Sequence, residues 1–209
     1  MKNRLNSQLM QYKRSLMAFK NSMTGAALMT IVTSSLLSVS LVNPAAAQID
    51  PSQLDNIKAI KLNNSQVITA GLPTAAQFQT LKHSGVEVVI NLIPKDNSNY
   101  LAAEDRLVTD AGMVYHNIEV DWQQPTMEDV AQFISIMERN NDKSILVHCA
   151  LNYRASAFYY LYQLSQGADH SENAMNQALS PWGDLPQSFA KYPQWNKLIE
   201  EVKQKYSTQ

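Results

Sequence analysis

Cys149, the single cysteine of this 209-residue chain, sits between the apolar run Ser-Ile-Leu-Val-His at 144 to 148 and Arg154, five positions downstream. A thiolate and a guanidinium at this spacing can hold an oxyanion over a nucleophile. A sulfur at the junction of a strand and a helix N-terminus is stabilised as a thiolate by the helix dipole and by the N–H groups of the turn. The same N–H groups form a nest for an anion, and arginine adds a planar, permanently charged fork. Ala150, Leu151, Asn152, Tyr153, Arg154, Ala155 and Ser156 are therefore the candidate oxyanion-binding segment. Arg154 falls in the first turn of the helix that follows, where a positive side chain opposes the dipole; a bound anion offsets that conflict, and a salt bridge to a carboxylate is the plainer alternative. Asn152 tolerates the left-handed backbone that a tight nest requires. Ser156 either donates to the sulfur as it leaves or bonds backbone in the first helical turn. His148 either orients the loop or is an ordinary core histidine.

If the oxyanion is a phosphate ester cleaved through a cysteinyl-phosphate, the departing oxygen needs a proton, and a carboxylic acid must approach from another loop. Asp121 is the best candidate. It follows a predicted strand and opens a loop 28 residues before the cysteine, with Trp122 beside it to exclude water or stack on substrate. Glu128 and Asp129 fit better as ordinary acids of a helix first turn. His83, His116, His148 and His170 have no ligand-like spacing, so no metal is expected, and no other cofactor is implied.

The elements around these residues must bring the two loops together, and the hydrophobic pattern indicates how. Short β-type runs alternate with helical segments, which signals an α/β domain with a mainly parallel central sheet flanked by helices. Val67 to Ala70, Val86 to Leu92, Met113 to Val120 and Ser144 to His148 read as strands. Val86 to Leu92 is too rich in branched residues for a good helix and reads as central. Helices are expected after Thr74, with Gln77 completing a capping box, from Leu101 to Ala111, from Thr126 to about Arg139, and from Ala155 to about Gln166. The tail from Ser171 to Tyr206 reads as helical segments broken at Pro181, Pro186 and Pro193, with Trp182 and Trp195 as its anchors. Tyr159, Tyr160 and Tyr162 fit a largely buried helix behind the loop.

Residues 1–47 read as a signal peptide: Lys2, Arg4, Lys13, Arg14 and Lys20 form a basic leader, an apolar stretch runs from Met23 to Val42, and Ala45-Ala46-Ala47 offers a cleavage site before Gln48. The serines and threonines within the apolar stretch weigh against a retained anchor. The expected mature domain, 48–209, is 162 residues, which suits one domain with one core. The leader holds five of the 17 basic residues and none of the 18 acidic ones, leaving 12 against 18 and a net charge of −6. That balance excludes a general nucleic-acid role. A periplasmic or secreted location follows from the leader, with no membrane association after cleavage. In that compartment cysteines normally pair, so an unpaired thiol asks for a chemical reason, with a small buried hydrophobe as the bland alternative. Oligomeric state leaves no trace in the sequence.

The chain resembles the bacterial protein-tyrosine and dual-specificity phosphatase-like proteins, through Thr69-Ala70-Gly71-Leu72-Pro73-Thr74, Val89-Ile90-Asn91-Leu92, Asp121-Trp122-Gln123-Gln124-Pro125-Thr126, Val147-His148-Cys149 and Arg154-Ala155-Ser156-Ala157-Phe158. The resemblance implies a cysteine-phosphatase-like fold and metal-free hydrolysis of phosphate monoesters on a protein or a small molecule. Cys149 would be the nucleophile, Arg154 the phosphate clamp, Asp121 the general acid, and Ser156 a helper in breaking down the thiophosphate. The usual signature of that family has five residues between cysteine and arginine and a serine or threonine after the arginine; here four intervene and Ala155 follows, although Ser156 keeps the usual offset of seven from the cysteine. Four intervening residues also occur in a bacterial phosphatase-like subfamily associated with a beta-lactamase-like hydrolase, and in rhodanese-type sulfurtransferases. A sulfurtransferase and a catalytically silent phosphate-binding module therefore stand as alternatives.

Overall fold

The computed structural model describes residues 48–207; the expected leader, 1–47, lies outside the described residues. Five strands form one sheet: β1 (Lys61–Leu62), β2 (Val67–Ala70), β3 (Val88–Asn91), β4 (Val114–Asn117) and β5 (Ile145–His148). Their order is β1-β2-β5-β3-β4, with β2, β5, β3 and β4 parallel and β1 antiparallel to β2. The expected mainly parallel sheet is thus present, and the branched runs at β2, β3 and β5 are its three middle strands, buried at every residue. β1 was not anticipated, because two residues carry no alternation from which to read a strand.

Seven α-helices are found among the described residues: α1 (Gln77–His83), α2 (Glu104–Asp110), α3 (Met127–Arg139), α4 (Tyr153–Ser165), α5 (Glu172–Ala178), α6 (Leu185–Lys191) and α7 (Pro193–Tyr206). None of them is long and apolar enough to cross a membrane. They cover the sheet from both sides. Alternation along β5 sends Ile145, Val147 and then Cys149 into a core built with Val130, Phe133 and Met137 of α3, Phe158 and Leu161 of α4, and Trp195 and Ile199 of α7. Leu146 points to a second, smaller core with Phe78 and Leu81 of α1, Val108 of α2, and Ile49, Leu54 and Ile57 of the N-terminal segment. Phe158 ties the larger core together, meeting Phe133 edge-on at 5.6 Å and Trp195 at 6.1 Å.

Several boundaries differ from the sequence reading for identifiable reasons. At α3 the capping box is complete: Thr126 accepts from the Asp129 N–H, and Asp129 accepts from the Thr126 N–H. At α1 only half of the expected box forms. Gln77 accepts from the Thr74 N–H at 2.8 Å, but the helix itself begins at Gln77, with Ala76 as an N-cap that makes no side-chain bond. Helix α4 starts at Tyr153, two residues before the expected Ala155, because Asn152 supplies the left-handed turn (φ 69°) directly at the N-cap. Arg154 is consequently the second helical residue.

Candidate active site

The parallel strands end on one edge of the sheet, and the crevice there is where open α/β folds bind their ligands. Cys149 follows the last residue of β5 at this edge and is 2 % exposed. Its N–H donates to the Ala70 carbonyl at 3.2 Å, and the Leu72 N–H donates to the Ala150 carbonyl at 3.3 Å, so the loop runs against the end of β2. The two backbones come very close at Gly71. A β-carbon there would lie 3.0 Å from both the Ala150 and Lys58 carbonyl oxygens, which accounts for glycine at this position. Asn152 is fully buried, and its amide donates to the Ala59 carbonyl at 2.7 Å. Ala59 (φ 47°) and Asn152 are the two non-glycine residues at positive φ among the described residues, so one hydrogen bond joins both strained positions beneath the loop.

Arg154 is 5 % exposed and folds inward, its guanidinium close enough to the Cys149 sulfur to feel its charge. Burial pushes its guanidinium below the ordinary arginine value, while the Cys149 sulfur and then the Asp121 carboxylate push it back up. The charge persists, since arginine does not lose its proton in proteins. Its Nε is buried and has no partner within the protein. The guanidinium carbon lies 5.6 Å from the centre of the Trp122 ring, a cation–π contact that restrains the fork.

Asp121 arrives from the loop between β4 and α3. It is exposed, and its carboxylate accepts from the Gln123 N–H at 2.7 Å in a local turn. The adjacent Trp122 is held from the other side. Its carbonyl accepts from Trp195 Nε1 and from Gln194 Nε2, both at 3.0 Å, so the acid loop is tied to the start of α7. Trp122 also stacks on Trp182 at 5.8 Å and meets the edge of Tyr192 at 4.9 Å, while Tyr153 stacks on Trp182 at 5.1 Å. Trp182 Nε1 donates to the Tyr153 carbonyl at 3.0 Å, which ties this aromatic group to the first turn of α4.

Two adjoining cavities meet at Arg154 and Trp122. One, of about 180 Å³, is lined by Trp122, Cys149, Ala150, Leu151, Tyr153, Arg154 and Tyr192. The other, of about 590 Å³, is lined by Pro94, Asp96, Asn97, Glu119, Asp121, Trp122, Gln123 and Arg154. Cys149 and Asp121 thus open into neighbouring spaces that share Arg154 and Trp122 in their walls.

The model of the DSP-PTPase phosphatases fused to NAD+ kinase matches residues 42–187. This chain belongs to that phosphatase family. A crystal structure of a DUF442 phosphatase candidate from Shewanella putrefaciens CN-32 is 45% identical, with a TM-score of 0.68, over 75% of this chain and 96% of that one. More distant structures share the fold. TpbA of P. aeruginosa in complex with pTyr has 16% identity and a TM-score of 0.52 over 80% of this chain and 99% of that one. PTPMT1 in complex with PI(5)P has 15% identity and a TM-score of 0.55 over 72% and 98%. No curated protein matches the chain.

Of the residues expected from sequence, Cys149, Arg154 and Asp121 come together at this edge of the phosphatase. Ala155 is fully buried, Ala150 half-buried, and Leu151 stands 48% exposed at the rim. Ser156 is buried, and its hydroxyl donates to the Asn152 carbonyl at 2.7 Å, which is the first-turn backbone bond named as its alternative. Sequence reasoning missed Tyr192, which closes the aromatic wall, and the tie from Trp195 to Trp122, because both join segments some 70 residues apart. It also missed Glu104, whose signal was available. Glu104 shares one helical stripe with Leu101 and Val108, so an acid stands on the buried face.

Proposed function

We propose that this phosphatase is exported and hydrolyses phosphate monoesters through a cysteinyl-phosphate on Cys149. The observation that carries the reading is Arg154 folded inward onto the Cys149 sulfur with Nε unpartnered. A tetrahedral phosphate seated there takes hydrogen bonds from the guanidinium and from the loop N–H groups of residues 150 to 155. The Cys149 thiolate attacks phosphorus, the bond from phosphorus to the ester oxygen breaks, and the Asp121 carboxyl gives its proton to the departing oxygen. Water then attacks phosphorus, Asp121 takes a proton from it, and inorganic phosphate leaves as the thiolate is restored. Export is supported by the basic and apolar leader of residues 1–47. The aromatic wall of Trp122, Tyr153 and Tyr192 around the smaller cavity supports phosphate esters with a flat, apolar leaving group, such as a phosphotyrosine side chain.

A second reading, a phosphate-binding module without turnover, draws on Ser156. Its hydroxyl is engaged with backbone and turned from the assistance it would give the leaving thiolate. Hydrolysis of 4-nitrophenyl phosphate in the presence of a chelator, with loss of turnover in Cys149→Ser, is the expected result. Turnover retained in that variant sinks the cysteinyl route. Phosphate binding without turnover in the unaltered protein selects the second reading, and sulfur transfer from thiosulfate to cyanide would reinstate the sulfurtransferase.

A further inference from the structure

The mechanism leaves unused a pair of ionisable groups directly behind the nucleophile. His148, the last residue of β5 and the neighbour of Cys149 in the chain, turns its ring to the face of the sheet opposite the sulfur. There His148 Nε2 lies 2.7 Å from Glu104 Oε1, and both side chains are fully buried. Glu104 is the first residue of α2, 44 positions earlier. The distance is that of a short hydrogen bond, with the carboxyl oxygen accepting from the ring N–H.

Stability does not explain the pair. Glu104 Oε2 and His148 Nδ1 have no hydrogen-bond partner, so two polar atoms are buried unsatisfied in a core that holds Leu146, Phe78, Val108 and Val89, with Tyr115 packed against it and its phenol within reach of the Glu104 charge. Replacing a buried ionic pair by apolar residues of similar size is commonly neutral or stabilising. What the bond does accomplish is local. The backbone at the end of β5 is already held on two sides, by the Cys149 N–H on the Ala70 carbonyl and by the Leu92 N–H on the His148 carbonyl at 2.9 Å. Those bonds lie in the plane of the sheet. The pull of Glu104 on His148 acts perpendicular to it and restrains rotation of the strand end about its own axis, the motion that would swing the sulfur out from under the loop.

The geometry points to Glu104 as a positioning residue of the phosphatase site, acting through His148 to fix the direction of the Cys149 sulfur. The inference rests on Cys149 being the nucleophile. It calls for a bond to the ring and no particular charge, so an amide at 104 substitutes and an aliphatic side chain does not.

The test compares Glu104→Leu with Glu104→Gln in the purified protein, using turnover of 4-nitrophenyl phosphate, alkylation of Cys149 by iodoacetamide at fixed pH, and thermal unfolding. Glu104→Leu leaves both ring nitrogens of His148 buried without a partner, so its unfolding midpoint is expected to fall by several degrees, while in the folded protein kcat falls roughly 100-fold with KM within about twofold. Its alkylation slows as well, because thiolate stabilisation depends on where the sulfur sits beneath the loop. Glu104→Gln keeps kcat within about fivefold, as an amide oxygen still accepts the ring N–H. Unaltered kcat and alkylation in Glu104→Leu overturn the proposal. If that variant fails to fold, Glu104→Gln is combined with His148→Asn. A double variant no worse than the poorer single one supports a shared role, and losses that simply multiply overturn it. If the unaltered protein hydrolyses no aryl phosphate, the cysteinyl route falls while the alkylation rates still judge Glu104.

Discussion

The thiol loop and the acid loop are held in opposite ways. Cys149 and Arg154 are almost fully buried, and their backbone is pressed against β2 at Gly71 and against Ala59 through Asn152. Asp121 is exposed, and its loop depends on the neighbouring tryptophan, whose carbonyl is gripped by two side chains of α7. The difference follows the proposed chemistry. A nucleophile and an anion clamp must be preorganised to the ångström before substrate arrives, because their interactions carry the developing charge. A general acid must reach solvent to regain its proton and can be set by substrate itself. The core therefore holds one loop, and an aromatic rim holds the other.

The largest effect that sharpens this contrast is expected at the clamp. Arg154→Lys keeps the positive charge but loses the planar fork and the contact with Trp122. We expect kcat/KM on an aryl phosphate to fall about a thousandfold with little change in unfolding temperature. A loss below tenfold would mean that charge alone suffices and that the rigid loop is not selecting geometry. At the acid loop, Asp121→Asn should lower kcat by about 100-fold on esters with poor leaving groups, and by much less on 4-nitrophenyl phosphate, whose leaving oxygen needs little protonation. An equal loss on both substrates would place Asp121 in substrate binding instead of proton transfer.

The contrast also separates what was legible in the sequence from what was not. The thiol loop is local: Cys149, Asn152 and Arg154 lie within six residues, and the branched runs that become β2, β3 and β5 announce the strands around them. Helix α3 was legible for the same reason, since Thr126 and Asp129 form their box across three residues. The supports of both loops are long-range and leave only faint marks. Gly71 reads as part of a turn, and only the approach of Ala150 and Lys58 shows that it is a contact point. Tyr192 and Trp195 lie in a proline-broken tail whose docking no periodicity predicts. Glu104 stands on the buried stripe of α2, but only the fold shows that its partner there is His148, 44 residues away.

Gly71→Ala tests whether the thiol loop draws its rigidity from β2. The added carbon would meet two backbone oxygens at 3.0 Å, and backbone cannot step aside as a flexible side chain can. We expect a loss of about 1–3 kcal/mol, read as a fall in the unfolding midpoint of roughly 2–4 °C per kcal/mol. The displaced loop should also cost activity of order tenfold, carried by kcat. Destabilisation with kcat intact would show that the loop keeps its shape without the close approach to β2.

The smallest effect is expected at the aromatic rim, where Trp195→Phe removes one of the two donors on the Trp122 carbonyl and keeps most of the buried ring area. Gln194 Nε2 still reaches that oxygen, so no acceptor is stranded, and the cost in stability should be about 1 kcal/mol for the lost bond plus the space left by the smaller ring. The lost bond is to the backbone of the loop that carries Asp121, the proposed acid, and the Trp122 ring stays against Arg154, so the accompanying fall in kcat should be a few-fold on poor leaving groups and close to nil on 4-nitrophenyl phosphate. Alkylation of Cys149 should be unchanged. A slower alkylation would mean that the rim also sets the thiol loop, through Trp182 and the Tyr153 carbonyl, and the two loops would then share one support.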